Sequence, residues 1–206
     1  LLIGLERRFK MKPIIVITGV SGSGKTTLSQ IFPLERRLVS YTTRHPRPCE
    51  IDGVDYYFIT KEQGEEIKKS PNSFEDTEFA GNVYGITKDE VVEKSTNWRY
   101  HTVLVAEAGF YKDVSIGEDG QFLYKGQYPI RPVIVKAENH KIIEAIKERG
   151  GEEANQRILN LAKEEKTIVD LMERFPNLEV FDVLFDDGIE ENQKRFKDFL
   201  GLSQTK

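Results

Sequence analysis

Apolar, β-branched runs recur along the chain at Ile14 to Thr18, Leu38 to Tyr41, Thr102 to Val105, Val133 to Lys136 and Val180 to Phe185. Each has the length and composition of a strand. Helical period marks Lys25 to Phe32, Lys88 to Lys94, Ile142 to Arg149, Ala154 to Phe175 and Ile189 to Leu200. Strands alternating with helices predict an α/β fold, a three-layer parallel sheet with helices on both faces. From Tyr41 to Tyr84 the rhythm breaks: Pro46, Pro48, Gly53, Gly64, Pro71 and Gly81 punctuate a stretch rich in aromatics. That stretch reads as an inserted subdomain. Ser115 to Gln127, with three glycines, predicts a loop or hairpin.

With 206 residues the chain holds one or two domains. Its longest aliphatic run falls far short of the roughly 18 apolar residues of a membrane-spanning helix. Thirty Lys and Arg against 34 Asp and Glu give a net charge of −4. No global basic field draws it to nucleic acid or to a membrane surface, so neither partner is expected. Cys49 is the single cysteine and has no partner for an internal disulfide, which suggests a reducing, cytoplasmic setting. Residues 1–10 lack the apolar core and cleavage site of an export signal and read as a translated leader or a disordered tail, with the domain running from 11 to 206.

Gly19-Val-Ser-Gly-Ser-Gly24-Lys25-Thr26 fits G-x-x-x-x-G-K-[ST] between a buried strand and a helix. Glycines let backbone N–H groups turn inward around phosphate oxygens, Lys25 spans the β and γ phosphates, and Thr26 offers its hydroxyl to Mg²⁺. Gly19, Ser21, Gly22, Ser23, Gly24, Lys25, Thr26 and Thr27 are therefore expected to hold a nucleoside triphosphate, with Thr26 on the metal. The N-K-x-D motif of GTPases is absent, and the only D-x-x-G, Asp198 to Gly201, ends the last helix. A small-molecule kinase fits better.

The most informative stretch is Thr42-Thr-Arg44-His-Pro-Arg47-Pro-Cys-Glu50-Ile-Asp-Gly53-Val-Asp-Tyr56-Tyr-Phe58. Two arginines three apart, followed by a turn and a tyrosine, can converge on one phosphate dianion. Taken alone, such a pair is more often two solvated loop arginines. The whole segment, however, resembles the signature of the guanylate kinase family, and SFEDTEFAGNVYG (Ser73 to Gly85) resembles that family's second motif. The similarity runs from about Pro13 to Thr87, then weakly through Glu107, Arg149 and Arg157.

The resemblance implies that Arg44, Arg47, Tyr56 and Tyr84 bind the GMP phosphate and that Ser40 and Glu75 read guanine. A carboxylate at Glu75 suits guanine, which presents adjacent N–H donors on one edge. Arg149 and Arg157 correspond to lid arginines; with Lys25 and Arg44 they form the expected catalytic set. The family departs at several positions. Ile86 replaces a hydroxyl residue near guanine O6, with Thr87 adjacent as a substitute. Val105 and Glu107 stand for a pair of acids, leaving Glu107 to serve the base, the metal's water shell, or both. Ala145 replaces a lid arginine, and Phe185 an Asn near adenine. The monophosphate subdomain is expected at about 41–86 and the lid at about 141–161.

Three scattered histidines (His45, His101, His140) lack ligand spacing, Cys49 reads as an inert loop thiol and Trp98 as a packing anchor. The charged stretches 148–153 and 163–166 read as solvated helix faces or lid surface, with no chemistry beyond Arg149. The implied reaction is transfer of the γ-phosphoryl of Mg·ATP to GMP or dGMP by a monomer or weak dimer. Two alternatives remain: a kinase for another nucleoside monophosphate, and a non-catalytic relative binding a phosphopeptide, against which the intact Gly24-Lys25-Thr26 argues.

Overall fold

A computed structural model describes residues 12–79, 81–95, 101–150 and 154–202. Residues 1–10, on which the leader-or-tail reading falls, and Trp98 lie outside the described residues.

In chain order the first half contains β1 (Ile14–Thr18), α1 (Lys25–Ser29), β2 (Tyr41–Thr42), β3 (Tyr57–Phe58), α2 (Lys61–Lys69), β4 (Ser73–Phe79), β5 (Asn82–Thr87) and α3 (Lys88–Ser95). The second half contains β6 (Val103–Val105), β7 (Val114–Ile116), β8 (Phe122–Tyr124), β9 (Tyr128–Lys136), α4 (Asn139–Arg149), α5 (Ala154–Arg174), β10 (Glu179–Asp182) and α6 (Gly188–Leu200). One sheet has the order β6-β1-β9-β8-β7, with β10 also on β9; a smaller sheet runs β3-β2-β5-β4. The α/β fold expected from the sequence is the one found.

The large sheet is mixed rather than wholly parallel. β9 is long enough to serve two partners on its length: Tyr128 to Ile130 pair antiparallel with β8, and Val133 to Lys136 pair parallel with β10. All five residues of β1 are buried, as are Val133, Ile134 and Val135 of β9. Such unbroken apolar runs are what strands covered on both faces require. Each fully buried Ile or Val contributes about 1.5–3 kcal/mol relative to leaving it exposed.

The chain divides into two compact units: one from the stretches up to Ile15, Phe32–Leu104 and Lys112–Ile130, the other from Val16–Ile31, Val105–Tyr111 and Arg131 onward. The first holds the small sheet. There the strand expected at Leu38 to Tyr41 is displaced. Leu38 donates to Val103 O, but the Val39 N–H goes to the carboxylate of Glu90 at 2.8 Å, so no ladder continues and regular pairing starts only at Tyr41. Glu90, 6% exposed, also accepts from the Tyr57 hydroxyl and pairs with Lys94 Nζ at 2.6 Å. Removing one member of a buried ion pair leaves the other uncompensated. Glu90→Ala is therefore expected to cost about 3 kcal/mol of unfolding free energy, read by urea titration; a loss below about 1 kcal/mol would contradict this role.

Helix α2 went unread in the sequence, yet its start is written there. Thr60 Oγ1 accepts from the Gln63 N–H while Gln63 Oε1 accepts from the Thr60 N–H, a reciprocal capping box. The segment 115–127 is the hairpin β7–β8, and its work is packing. Tyr124 donates to Phe74 O and lies 4.9 Å from the Phe74 ring.

The second unit holds the glycine-rich loop Gly19 to Gly24 and helices α1, α4, α5 and α6. The helix expected from Lys25 to Phe32 stops at Ser29, because Pro33 disfavours a helical conformation for the residue before it. The run expected as strand to Phe185 ends at Asp182, and Phe185–Asp187 turn into α6. The C-terminus of α6 is closed by Arg131, which donates to Leu200 O at 2.9 Å while pairing with Glu179, a cation where carbonyl ends are exposed.

Candidate active site

The glycine loop leaves β1 and closes on α1. A Cβ at Gly19 would lie 2.3 Å from Val135 O, so only glycine lets the loop pass that carbonyl. Gly22 sits at φ +83, a left-handed conformation that glycine adopts without cost. Lys25 is 8% exposed and folded across its own loop, its Nζ donating to Gly19 O at 2.7 Å and Val20 O at 3.0 Å. The ammonium is thus desolvated and aimed inside the loop. Ser23 Oγ is buried and has no hydrogen-bond partner among the described residues. Thr26 is exposed on the first turn of α1, and the Thr27 carbonyl is tied to α6 by Gln193 Nε2 at 2.8 Å.

Beside the loop is a cleft of about 70 Å³ lined by Gly19, Glu107, Ala108, Glu164, Thr167 and Ile168. Glu107 therefore lies beside the loop, a position the sequence reading did not specify when it gave this acid to the base or to the metal's water shell. Glu164 corrects that reading. Placed among solvated charges, it instead is half-buried and accepts the Ser21 N–H at 2.7 Å. Burial, and then the charge of Glu107, raise its pKa against the lowering pull of the Ser21 N–H and Lys25. Its neighbours Lys163 and Lys166 are exposed, as expected. Only a contact spanning 143 residues separates Glu164 from them, and no local pattern announces it.

Of the two arginines expected in a lid, Arg157 is half-buried in the first turns of α5. Arg149 closes α4, and its side chain, like residues 151–153, lies outside the described residues. Ala145 is half-buried on α4, and Phe185 is half-buried in the turn before α6.

In the other unit the two motif arginines differ sharply. Arg44 is 7% exposed; Arg47 is 39% exposed. Arg44 Nη2 meets both oxygens of Glu50 at 2.9 and 3.0 Å, and its Nη1 donates to His45 O. The same carboxylate accepts the Arg47 N–H at 2.7 Å. Glu50 is thus the hub that holds both arginines, a role the sequence reading did not assign. An acid three residues after the second arginine was the available signal, since a buried guanidinium needs a counter-charge. Burial opposes the charge on Arg44, but Glu50 and then Tyr84 more than offset it and keep its pKa above the usual arginine value.

Around this guanidinium stand the aromatics the motif predicted. Arg44 Cζ lies 5.6 Å from the Tyr56 ring and 5.9 Å from Phe58, while Tyr56 and Tyr84 meet edge to face at 6.0 Å. Arg44, Tyr56 and Tyr84 are brought together as expected. Tyr84 reaches the site because β5 pairs with β2, setting Tyr84 opposite Thr42, two residues before Arg44.

Glu75 lies on β4 opposite Ile86, and Ser40 is half-buried just before β2. Ile86 is fully buried, so its side chain belongs to the core of the small sheet. Thr87 is half-buried, and its Oγ1 accepts the Glu90 N–H at 3.3 Å at the start of α3. Near Glu75 the structure adds a phenol that the sequence reading missed. Burial, then Asp76, Glu75 and Glu65, push Tyr41 up to about 12, and its buried hydroxyl has no hydrogen-bond partner among the described residues. Cys49 is exposed in a left-handed turn at φ 70, and His45 is exposed.

Among the described residues no helix is long and apolar enough to cross a membrane, and no group of three or more His, Cys, Asp or Glu side chains is gathered as a metal cluster. The profile of the guanylate kinase family matches residues 10–202. A guanylate kinase from Trichormus variabilis is 39% identical over 100 residues, 47% of this chain and 50% of that protein. One from Oceanobacillus iheyensis is 27% identical over 173 residues, 82% of this chain and 79% of its own. The chain spans about half the length of the first of these relatives. In fold it is similar to the crystal structure of guanylate kinase from Anaplasma phagocytophilum, with TM-score 0.60 and 21% identity over 96% of this chain and 88% of the other.

Proposed function

This chain belongs to the guanylate kinase family, and we propose that it transfers the γ-phosphoryl group of ATP to GMP or dGMP, giving ADP and the nucleoside diphosphate. The observation that carries the reading is the buried Arg44, held by Glu50 and walled by Tyr56 and Tyr84. A guanidinium desolvated in this way binds a phosphate dianion in a bidentate grip, and phenols add donors to the remaining oxygens.

Phosphoryl transfer asks a protein for positioning and charge neutralisation rather than covalent chemistry. The backbone of Gly19 to Thr26 holds the donor's phosphates, and Lys25 leaves its loop carbonyls for the β and γ oxygens. Arg44 and Arg47 neutralise and orient the acceptor phosphate. Ser40 and Glu75 read the base, with Thr87 beside them, and Arg149 and Arg157 close over the triphosphate as charge moves. Glu107, beside the loop, serves the base, the metal's water shell, or both.

The residues present fit Mg²⁺. The exposed Thr26 hydroxyl and the orphaned Ser23 Oγ lie on the loop that would carry the phosphates, with Glu107 alongside. A magnesium ion that arrives on a triphosphate needs few protein ligands. When bound, it neutralises charge on the β and γ oxygens.

The test is a coupled ADP-release assay with GMP, dGMP, AMP, UMP and dTMP. GMP or dGMP is expected to exceed the rest by at least about tenfold in kcat/KM, since Glu75 pairs with the N–H edge of guanine that the others lack. Preference for another monophosphate overturns the base assignment; no turnover with any, alongside phosphopeptide binding, overturns the enzyme assignment.

A further inference from the structure

Glu164 is an acidic side chain bonded to the glycine loop, accepting the Ser21 N–H at 2.7 Å, and the reaction proposed above leaves it unused. The loop is braced at several points, and the braces differ in kind. At Gly19 the fit is against the Val135 carbonyl of β9; at Gly22 a Cβ would come within 3.1 and 3.2 Å of Ile142 and Ile146 of α4. Thr27 is bound to α6 through Gln193. Those contacts are van der Waals contacts or neutral hydrogen bonds. At Ser21 the brace is a carboxylate, 2.7 Å from the backbone nitrogen, and charge-assisted bonds of this kind are about twice as strong as neutral ones.

The helix that supplies this carboxylate is also the helix that carries Arg157. Seven residues separate the two, close to two full turns, which places them on the same face of α5 about 10 Å apart along its axis. Whatever fixes Glu164 against Ser21 therefore fixes the azimuth and height of Arg157. The loop pays no local penalty for the bond, because a backbone N–H inside a closed turn must find an acceptor. The placement of a half-buried carboxylate here has a cost, visible in the pKa of Glu164, which burial and then Glu107 raise.

We infer that Glu164 is a positioning residue, which fastens α5 to the Ser21 N–H so that the phosphate loop and Arg157 are held in one register for the triphosphate. The inference rests on the proposed phosphoryl transfer for its kinetic consequence, but the bond itself does not depend on the substrate.

The experiment uses the full chain with Glu164→Ala and Glu164→Gln. The glutamine keeps an oxygen within reach of the N–H; the alanine does not. Two measurements are made: amide hydrogen exchange at Ser21 without nucleotide, and steady-state kinetics with ATP and GMP varied separately. In Glu164→Ala, Ser21 exchange is expected to rise about tenfold and kcat/KM for ATP to fall about ten- to thirtyfold, with KM for GMP within twofold. In Glu164→Gln both are expected within about threefold of the parent. If Glu164→Ala does not fold, Glu164→Asp, one methylene too short, replaces it with the same expectations. Unchanged Ser21 exchange, failure of glutamine to rescue, or equal losses toward ATP and GMP overturns the inference. A parent protein that protects Ser21 but does not phosphorylate GMP would instead count against the proposed reaction, while ATP affinity measured by calorimetry would still read the tether.

Discussion

Lys25→Ala loses turnover by about a thousandfold or more, while GMP affinity stays within about twofold. The ammonium is buried and bonded to loop carbonyls, Gly19 O and Val20 O, so it is already stripped of water inside the loop proposed to take the β and γ oxygens. A preorganised cation in a water-poor site stabilises developing charge far more than one in solvent. The alanine removes it without touching the unit that holds Arg44. A coupled ADP-release assay gives the turnover, and calorimetry with GMP gives the affinity. Near-parental activity would contradict the donor-site assignment, and a loss of GMP affinity as large as the loss of turnover would contradict the separation of roles.

Arg44→Ala is expected to lower kcat/KM for GMP by about a hundred- to a thousandfold, with ATP binding unchanged within twofold. Two effects add. The phosphate loses its bidentate partner, and Glu50, which balances Arg44 at 2.9 Å and keeps a longer pairing with Arg47 at 3.8 Å, is left less fully compensated facing an arriving dianion. The second effect has its own signature: Arg44→Ala combined with Glu50→Gln should recover about tenfold of the loss, because the repulsion is gone although the grip is not restored. A double variant as poor as, or poorer than, the single would show that Glu50 acts only as a scaffold for Arg47 and the turn.

Much of this site was legible because its chemistry is local. The loop Gly19 to Thr26 is one contiguous stretch whose glycines, lysine and threonine announce their use by spacing alone. The segment Thr42 to Phe58 likewise carries its arginines and Tyr56 within a few residues, and the structure gathers them. The buried strands β1 and β9 are unbroken aliphatic runs, and α2 was legible in principle through its Thr60 and Gln63 cap. What went astray did so at long range. Leu38 and Val39 look like strand and are buried like strand, but an acid 51 residues away takes the Val39 N–H. Glu164 looked like one charge among four.

The amino-acid sequence by itself determined the α/β class, the phosphate loop and the family, since periodicity and short motifs are written by neighbours along the chain. Only the tertiary structure decided which charges are paired. Whether Arg44 is solvated or gripped by Glu50, whether Glu90 and Glu164 face water or a backbone N–H, and whether Glu107 reaches the loop all depend on burial. Desolvation acts on a side chain through whatever the fold packs against it, and that environment comes from residues scores of positions away.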